Sequence, residues 1–152
     1  MRTEKDYYRI DLPKRAYSKD LHIAAVVPDS RKVLRDHVER FARYFLREVN
    51  TGGIQFEAAE TSQSLGYVPY RAYLFAIHDR FIGAGCFRYR EYQDPARPWV
   101  FDWMWLHPFV RRQGHLTQAW RTLRSDLGDF RLAHPLSSAM ECFMRKIEPE
   151  AS

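Results

Sequence analysis

The chain has 152 residues, 45% hydrophobic and 15% aromatic, which fits one domain over residues 1–152 and excludes a disordered chain, because such chains lack the apolar surface to offset their entropy. The formal net charge is +5, and residues 1–50 carry most of the excess, with 12 basic and 8 acidic side chains. Mild basicity of this kind favours anionic partners without separating nucleotide, nucleic acid and acidic protein, and no stretch approaches the roughly 18 continuous apolar residues of a membrane span.

The opening Met-Arg-Thr-Glu-Lys-Asp has no apolar run behind it, so no secretory signal is expected and a cytoplasmic address is the default. Cys86 and Cys142 are read as free thiols, and neither belongs to a Cys-x-x-Cys pair. The six histidines lack a repeated metal spacing, so no metal is expected.

Leu21–Val27 is an apolar run of strand length closed by Pro28. Over residues 30–49 the period changes: Leu34, His37-Val38, Phe41, Phe45 and Val49 recur at three or four, a helix with one buried stripe that Ser30 is placed to cap. Asn50-Thr51-Gly52-Gly53 ends it, and residues 54–70 read as a loop. Arg71–Ile77 and Phe81–Tyr89 are two strands of an antiparallel hairpin turning at His78-Asp79-Arg80. Gly83 and Gly85 lie on one side of the returning strand, where a backbone or ligand can come close.

Trp99–His107 is a strongly apolar strand stopped by Pro108. Asp102 lies inside it among Trp99, Phe101, Trp103 and Trp105, on the same face as Met104 and Leu106 by simple alternation. A carboxylate there is costly unless bonded or functional, so it is read either as a base or amine-binding group, or as the partner of a neighbouring loop or arginine. From Gly114 the pattern is helical through Leu116, Trp120, Leu123 and Leu127. Phe130–His134 is a short strand, and Leu136, Met140, Phe143 and Ile147 mark a last helix. The order is strand, helix, hairpin, strand, helix, strand, helix: an α/β fold with a mixed, mostly antiparallel sheet flanked by helices.

The sharpest feature is Leu106-His-Pro-Phe-Val-Arg111-Arg112-Gln113-Gly114-His115-Leu116. A buried strand stops, a basic loop with one glycine follows, and a helix begins. The first amides of a helix have no intrahelical partner and lie at the positive end of its dipole, so this is a place to cradle a phosphate or pyrophosphate. The alternative is a plain turn with two solvated arginines. The sequence is neither a P-loop nor a dinucleotide fingerprint, because the glycines those need are missing.

Arg111-x-x-Gly114 after a Leu-x-Pro strand end resembles the acyl-CoA loop of the GNAT superfamily of N-acetyltransferases, whose pattern is Gln/Arg-x-x-Gly-x-Gly/Ala in the turn after an apolar fourth strand. The hairpin at residues 71–89 resembles that family's second and third strands, and His134 to Lys146 its fifth-strand exit and fourth helix. Two residues depart from the pattern. Leu116 stands at the motif's last small position, and Phe143 stands where many members carry a thiolate-protonating tyrosine. The family's final two strands are not expected, because the chain stops soon after residue 147.

The resemblance implies acetyl transfer from acetyl-CoA to a primary amine of a small molecule or protein. It implies pyrophosphate on the amides of Arg111, Arg112, Gln113, Gly114, His115 and Leu116, and pantetheine along the strand edge at Trp105, Leu106 and His107. Asp102, His107, His134 and Ser138 are the catalytic candidates it implies, with Ser137 or Ser138 as a helix cap, and a serine or Tyr89 as the acid in place of the missing tyrosine. Cys142 would lie near the thiol, or be a small buried side chain, and Tyr67, Tyr70, Tyr89 and Tyr92 are candidates for an acceptor pocket. The family often forms homodimers. Two other readings stand beside this one: an inactive module of this fold that keeps CoA or a partner, and a nucleic-acid-binding protein using Arg31, Lys32, Arg35 and Arg43.

Overall fold

The computed structural model describes residues 10–49, 56–59, 61, 63–64, 69–132 and 136–148. In chain order they form β1 (Lys14–Val26), α1 (Lys32–Val49), β2 (Tyr70–Tyr89), β3 (Trp99–Leu106), a 3₁₀ turn (Pro108–Val110), α2 (His115–Leu127), β4 (Arg131–Leu132) and α3 (Ser138–Ile147). The sheet runs β1-β2-β3-β4, antiparallel at its first two junctions and parallel at the third. This is the expected mixed, mostly antiparallel sheet, and no strand follows α3 among the described residues.

β2 is not one straight run of 20 residues. The Tyr89 N–H donates to the Pro69 carbonyl at 2.9 Å, so the two ends of the element meet. Straight, a strand of that length would separate its ends by roughly 60 Å. The reversal falls at the expected turn, where His78 takes a left-handed φ of 54°. The first arm holds β1, from Lys14 opposite Arg80 to Val26 opposite Ala72, and the second holds β3, from Gly83 opposite Leu106 to Tyr89 opposite Trp99. β1 itself begins seven residues before the apolar run, at Lys14 rather than Leu21. Its first half carries no periodic apolar signal, because most of its side chains face water, and it is a strand through backbone pairing with the hairpin tip.

The sheet is covered on both faces. Along the first arm of β2, Ala72, Leu74 and Ala76 join Val38, Phe41 and Ala42 of α1 together with Trp103 and Trp105 of β3. Tyr73 and Phe75 point the other way, into a cluster with Trp120 and Leu123 of α2 and Met140 and Met144 of α3. The stripe read on α1 is the face it buries, with Phe41 stacked on Trp105 at 5.7 Å between ring centroids. Glu148 ties α3 to α2, accepting from Trp120 Nε1 and Arg124 Nε at 2.9 Å each.

Two local expectations change. Ser30 does not cap α1; its hydroxyl accepts from the Val27 N–H at 2.9 Å and closes the turn before the helix. Gly83 and Gly85 both meet β3, but unequally. A Cβ on Gly83 would lie 2.2 Å from the Trp105 carbonyl oxygen, whereas one on Gly85 would first meet the flexible Met104 Cε at 2.9 Å. Gly83→Ala is therefore expected to cost about 3 kcal/mol by forcing β2 and β3 apart, and Gly85→Ala markedly less. Urea denaturation of the two variants side by side checks this, and equal stabilities would contradict it.

Candidate active site

The open edge of β3 is the first element of the site. The His107 N–H donates to the Ile82 carbonyl at 2.8 Å. Backbone groups alternate along a strand, so residues 103 and 105 turn theirs toward β2 as 107 does, and Met104 and Leu106 turn theirs to the opposite edge. β4 pairs there only with Val100 and Phe101. Past Phe101 that edge has no strand partner among the described residues.

The loop that follows is the second element. Pro108 opens the 3₁₀ turn, and His107 Nδ1 caps it by accepting from the Phe109 N–H at 3.1 Å. With Nδ1 engaged as an acceptor, the neutral ring carries its proton on Nε2. Burial, with Arg111 close by, holds the His107 pKa below the ordinary histidine value. Arg112 takes φ 63° and Gly114 φ 83°, two left-handed residues within three. Such a conformation costs a non-glycine residue of order 1–3 kcal/mol, a cost that falls on Arg112 and that Gly114 avoids. Gly114 is the N-cap of α2 and supplies no side-chain cap, so the leading amides of the helix keep their donors. A Cβ on Gly114 would meet nothing within 4 Å, so the glycine answers the backbone angle and the space over the loop is open.

The loop's cations divide. Arg112 is exposed beside the amides, as are Gln113 and Gly114, while His115 is half-buried. Arg111 turns inward: its Nε donates to the Leu106 carbonyl at 2.7 Å, its Nη2 lies 2.8 Å from Glu48 Oε1 of α1, and its guanidinium sits 5.7 Å from the Trp105 ring centroid. Arg111 thus ties α1 to the end of β3, a pairing 63 residues apart in sequence.

Between these elements lies a cleft lined by Phe45 and Glu48 of α1, Met104, Trp105 and Leu106 of β3, Arg111, Leu116, and Ser137 and Met140 at the start of α3. Leu116 fills part of it where the motif has a small residue. Of the two serines, Ser137 is the one in the cleft; its hydroxyl caps α3 by accepting from the Met140 N–H at 3.2 Å. Ser138 is exposed and does not line it. Phe143 is half-buried, packs edge-on against Trp120 at 5.5 Å and does not line the cleft. Cys142 is exposed, not buried. Of the tyrosines, Tyr70 is buried, Tyr89 half-buried and Tyr92 exposed. His134 and Tyr67 lie outside the described residues.

Asp102 departs from simple alternation. Cys86 faces Trp103 and the next residue, Phe87, faces Phe101, so Asp102 is the extra residue of a β-bulge. The bulge shifts the phase: Phe101 joins the α2-side cluster with Met104 and Leu106, and Asp102 does not share their face. It meets Arg88 instead, with Nε 3.6 Å from Oδ2, and its side chain remains 30% exposed. Burial pushes its pKa above the usual carboxylate value, and Arg88 and then Arg90 pull the other way without cancelling the rise. The arginine partner that the sequence reading offered as one alternative is thus Arg88. Among the described residues no three His, Cys, Asp or Glu gather as a metal site.

The cations proposed for nucleic acid are largely engaged within the chain. Lys32 pairs with Asp36 and Arg43 with Glu39, while Arg35 donates to the carbonyls of Ser30 and Ala58.

No protein-family model matches this sequence, and no curated protein matches it. Solved structures do match in fold. A ribosomal-protein-alanine N-acetyltransferase from Brucella melitensis biovar Abortus 2308 superposes with a TM-score of 0.55 at 12% identity, over 88% of this chain and 92% of that one. An aminoglycoside acetyltransferase from an uncultured soil metagenomic sample superposes with a TM-score of 0.50 at 13% identity, over 80% and 83%. At these identities the likeness is one of fold, which this chain shares with the two acetyltransferases.

Proposed function

We propose that this chain is an acetyl-CoA-dependent N-acetyltransferase acting on a primary amine. The observation that carries the reading is the union of two binding surfaces around one cleft: the uncapped amides at the start of α2 and the open edge of β3. The amides and Arg112 suit the donor's pyrophosphate. Met104, and the N–H of Leu106, whose carbonyl Arg111 already holds, offer backbone groups to an extended amide chain such as pantetheine, laid against β3 as a further strand would be. Four residues of strand, about 13 Å, separate Leu106 from Asp102, so an arm running along this edge from the loop heads for the bulge.

Asp102 takes the proton that an ammonium must lose before it attacks the thioester. Ser137, rather than Ser138, donates to the departing thiolate; its hydroxyl lines the cleft, accepts from the helix and keeps its own proton free to give, which supports this role. His107 serves the loop through Nδ1 and donates from Nε2. His134 is retained as a proposed proton shuttle. The amine's identity stays open at the level of small molecule or protein, although the two similar structures are named for a ribosomal-protein alanine and for aminoglycosides.

Calorimetric titration of the purified protein with acetyl-CoA, and in parallel with dephospho-CoA, tests the reading. Micromolar acetyl-CoA affinity is expected, and the absence of binding in a folded protein overturns it. Turnover with a panel of amines then separates an enzyme from a module that binds CoA without chemistry.

A further inference from the structure

Arg88 lies on the second arm of β2, opposite Val100. It is the cation that meets Asp102, and its own side chain is only 14% exposed. Its guanidinium carbon sits 5.4 Å from the centroid of the Tyr70 ring, and Tyr70 is braced edge-on against Phe56 at 4.9 Å. Phe56, Tyr70, Arg88 and Asp102 therefore form one packed file that begins under α1 and ends at the bulge. The bulge leaves the Asp102 backbone outside the β2–β3 register, so neighbouring pairs do not by themselves fix where its carboxyl points. Among the described residues, the charged and titratable groups that bear on this carboxyl include Arg88, Arg90 just beyond the same arm, and, through Arg88, the Tyr70 ring.

We propose that Arg88 is a positioning residue for acyl transfer: clamped on Tyr70, it fixes both the aim and the protonation state of Asp102. The proposal rests on the acetyltransferase reading given above. In the reaction, the ionised Asp102 takes one proton from the acceptor ammonium. The free amine attacks the thioester carbonyl, the C–N bond forms and the C–S bond breaks. Ser137 gives its proton to the thiolate, which leaves as a thiol, the second nitrogen proton restores the Ser137 hydroxyl, and Asp102 returns its proton to solvent. Without Arg88, burial acts on Asp102 with less opposition, so the carboxyl stays protonated to higher pH and the base is lost over a wider acidic range.

The test uses the full chain labelled with ¹³Cγ-aspartate, the Asp102 signal being assigned by its loss in Asp102→Asn. Arg88→Gln should move the Asp102 titration midpoint upward by about 1 pH unit, and Arg88→Lys should restore most of the difference. In acetyl transfer to the fastest amine of a panel of alkylamines and peptide N-termini, the acidic limb of the pH profile should move with it, while acetyl-CoA affinity measured by calorimetry stays within about twofold. An Asp102 midpoint unmoved by Arg88→Gln overturns the proposal, as does a midpoint that moves while the acidic limb stays in place. Failure of the parent reading is a different result: wild-type protein that does not bind acetyl-CoA, or Asp102→Asn that turns over at the wild-type rate.

Discussion

Gly114→Asp is expected to weaken acetyl-CoA binding by at least about a hundredfold, which corresponds to roughly 3 kcal/mol, while leaving the fold intact. The residue sits at φ 83° with open space where its side chain would go. Aspartate tolerates the left-handed conformation better than most residues, so the backbone cost stays near 1 kcal/mol. The new carboxylate would stand at the positive end of α2, where a negative charge is favoured. That is also the place proposed for the donor's pyrophosphate. The substitution thus supplies the helix with an anion of its own, fills the space over the loop and repels a second anion. Gly114→Ala brings at least that backbone strain without the charge and should lose far less affinity. Calorimetry on both variants, with circular dichroism to confirm folding, separates the two effects. Unchanged affinity in folded Gly114→Asp would mean that acetyl-CoA does not use this loop.

Asp102→Asn is expected to slow acetyl transfer by about 10² to 10³-fold, the usual worth of a positioned general base, with little change in acetyl-CoA affinity. Asparagine keeps the shape and sets an oxygen beside Arg88, so the 3.6 Å contact can persist and the fold should hold. What it loses is the ability to take a proton. The pH profile supplies a second sign. Burial outweighs the arginines, so the wild-type carboxyl titrates above the ordinary carboxylate range and activity should fall as pH drops through that raised midpoint. In Asp102→Asn this limb should vanish. A variant with the wild-type rate and profile would remove Asp102 from the mechanism.

Much of this site is legible along the chain because its signals are local. Pro108 stops a strand wherever it stands, and Gly114 before an apolar period of three and four marks a helix start. The cleft residues Trp105, Leu106, Arg111 and Leu116 follow from that short stretch. Glu48 does not, because nothing in the helical pattern of α1 distinguishes it from any exposed glutamate until the fold brings it to Arg111. Ser137 and Ser138 illustrate a finer limit: both suit a helix start, and a one-residue difference in where α3 begins decides which hydroxyl caps it and enters the cleft. Arg88 gives no signal either, since a charged residue near the end of a strand usually faces water.

By itself, the sequence determined the element order, the hairpin turn at His78-Asp79-Arg80, the buried stripe of α1 and the loop that opens α2. Each of these depends on periodicity, or on the backbone limits of proline and glycine, over a few adjacent residues. Tertiary structure alone decided that Lys14–Asp20 extend an edge strand, that Arg111 serves Glu48 and Leu106 in addition to its loop, and that Asp102 leaves the face of Met104 and Leu106 for Arg88. The reason is the same in all three. Strand register and ion pairing are chosen between segments far apart in the chain, and one extra residue in β3 reverses which way every side chain beyond it points.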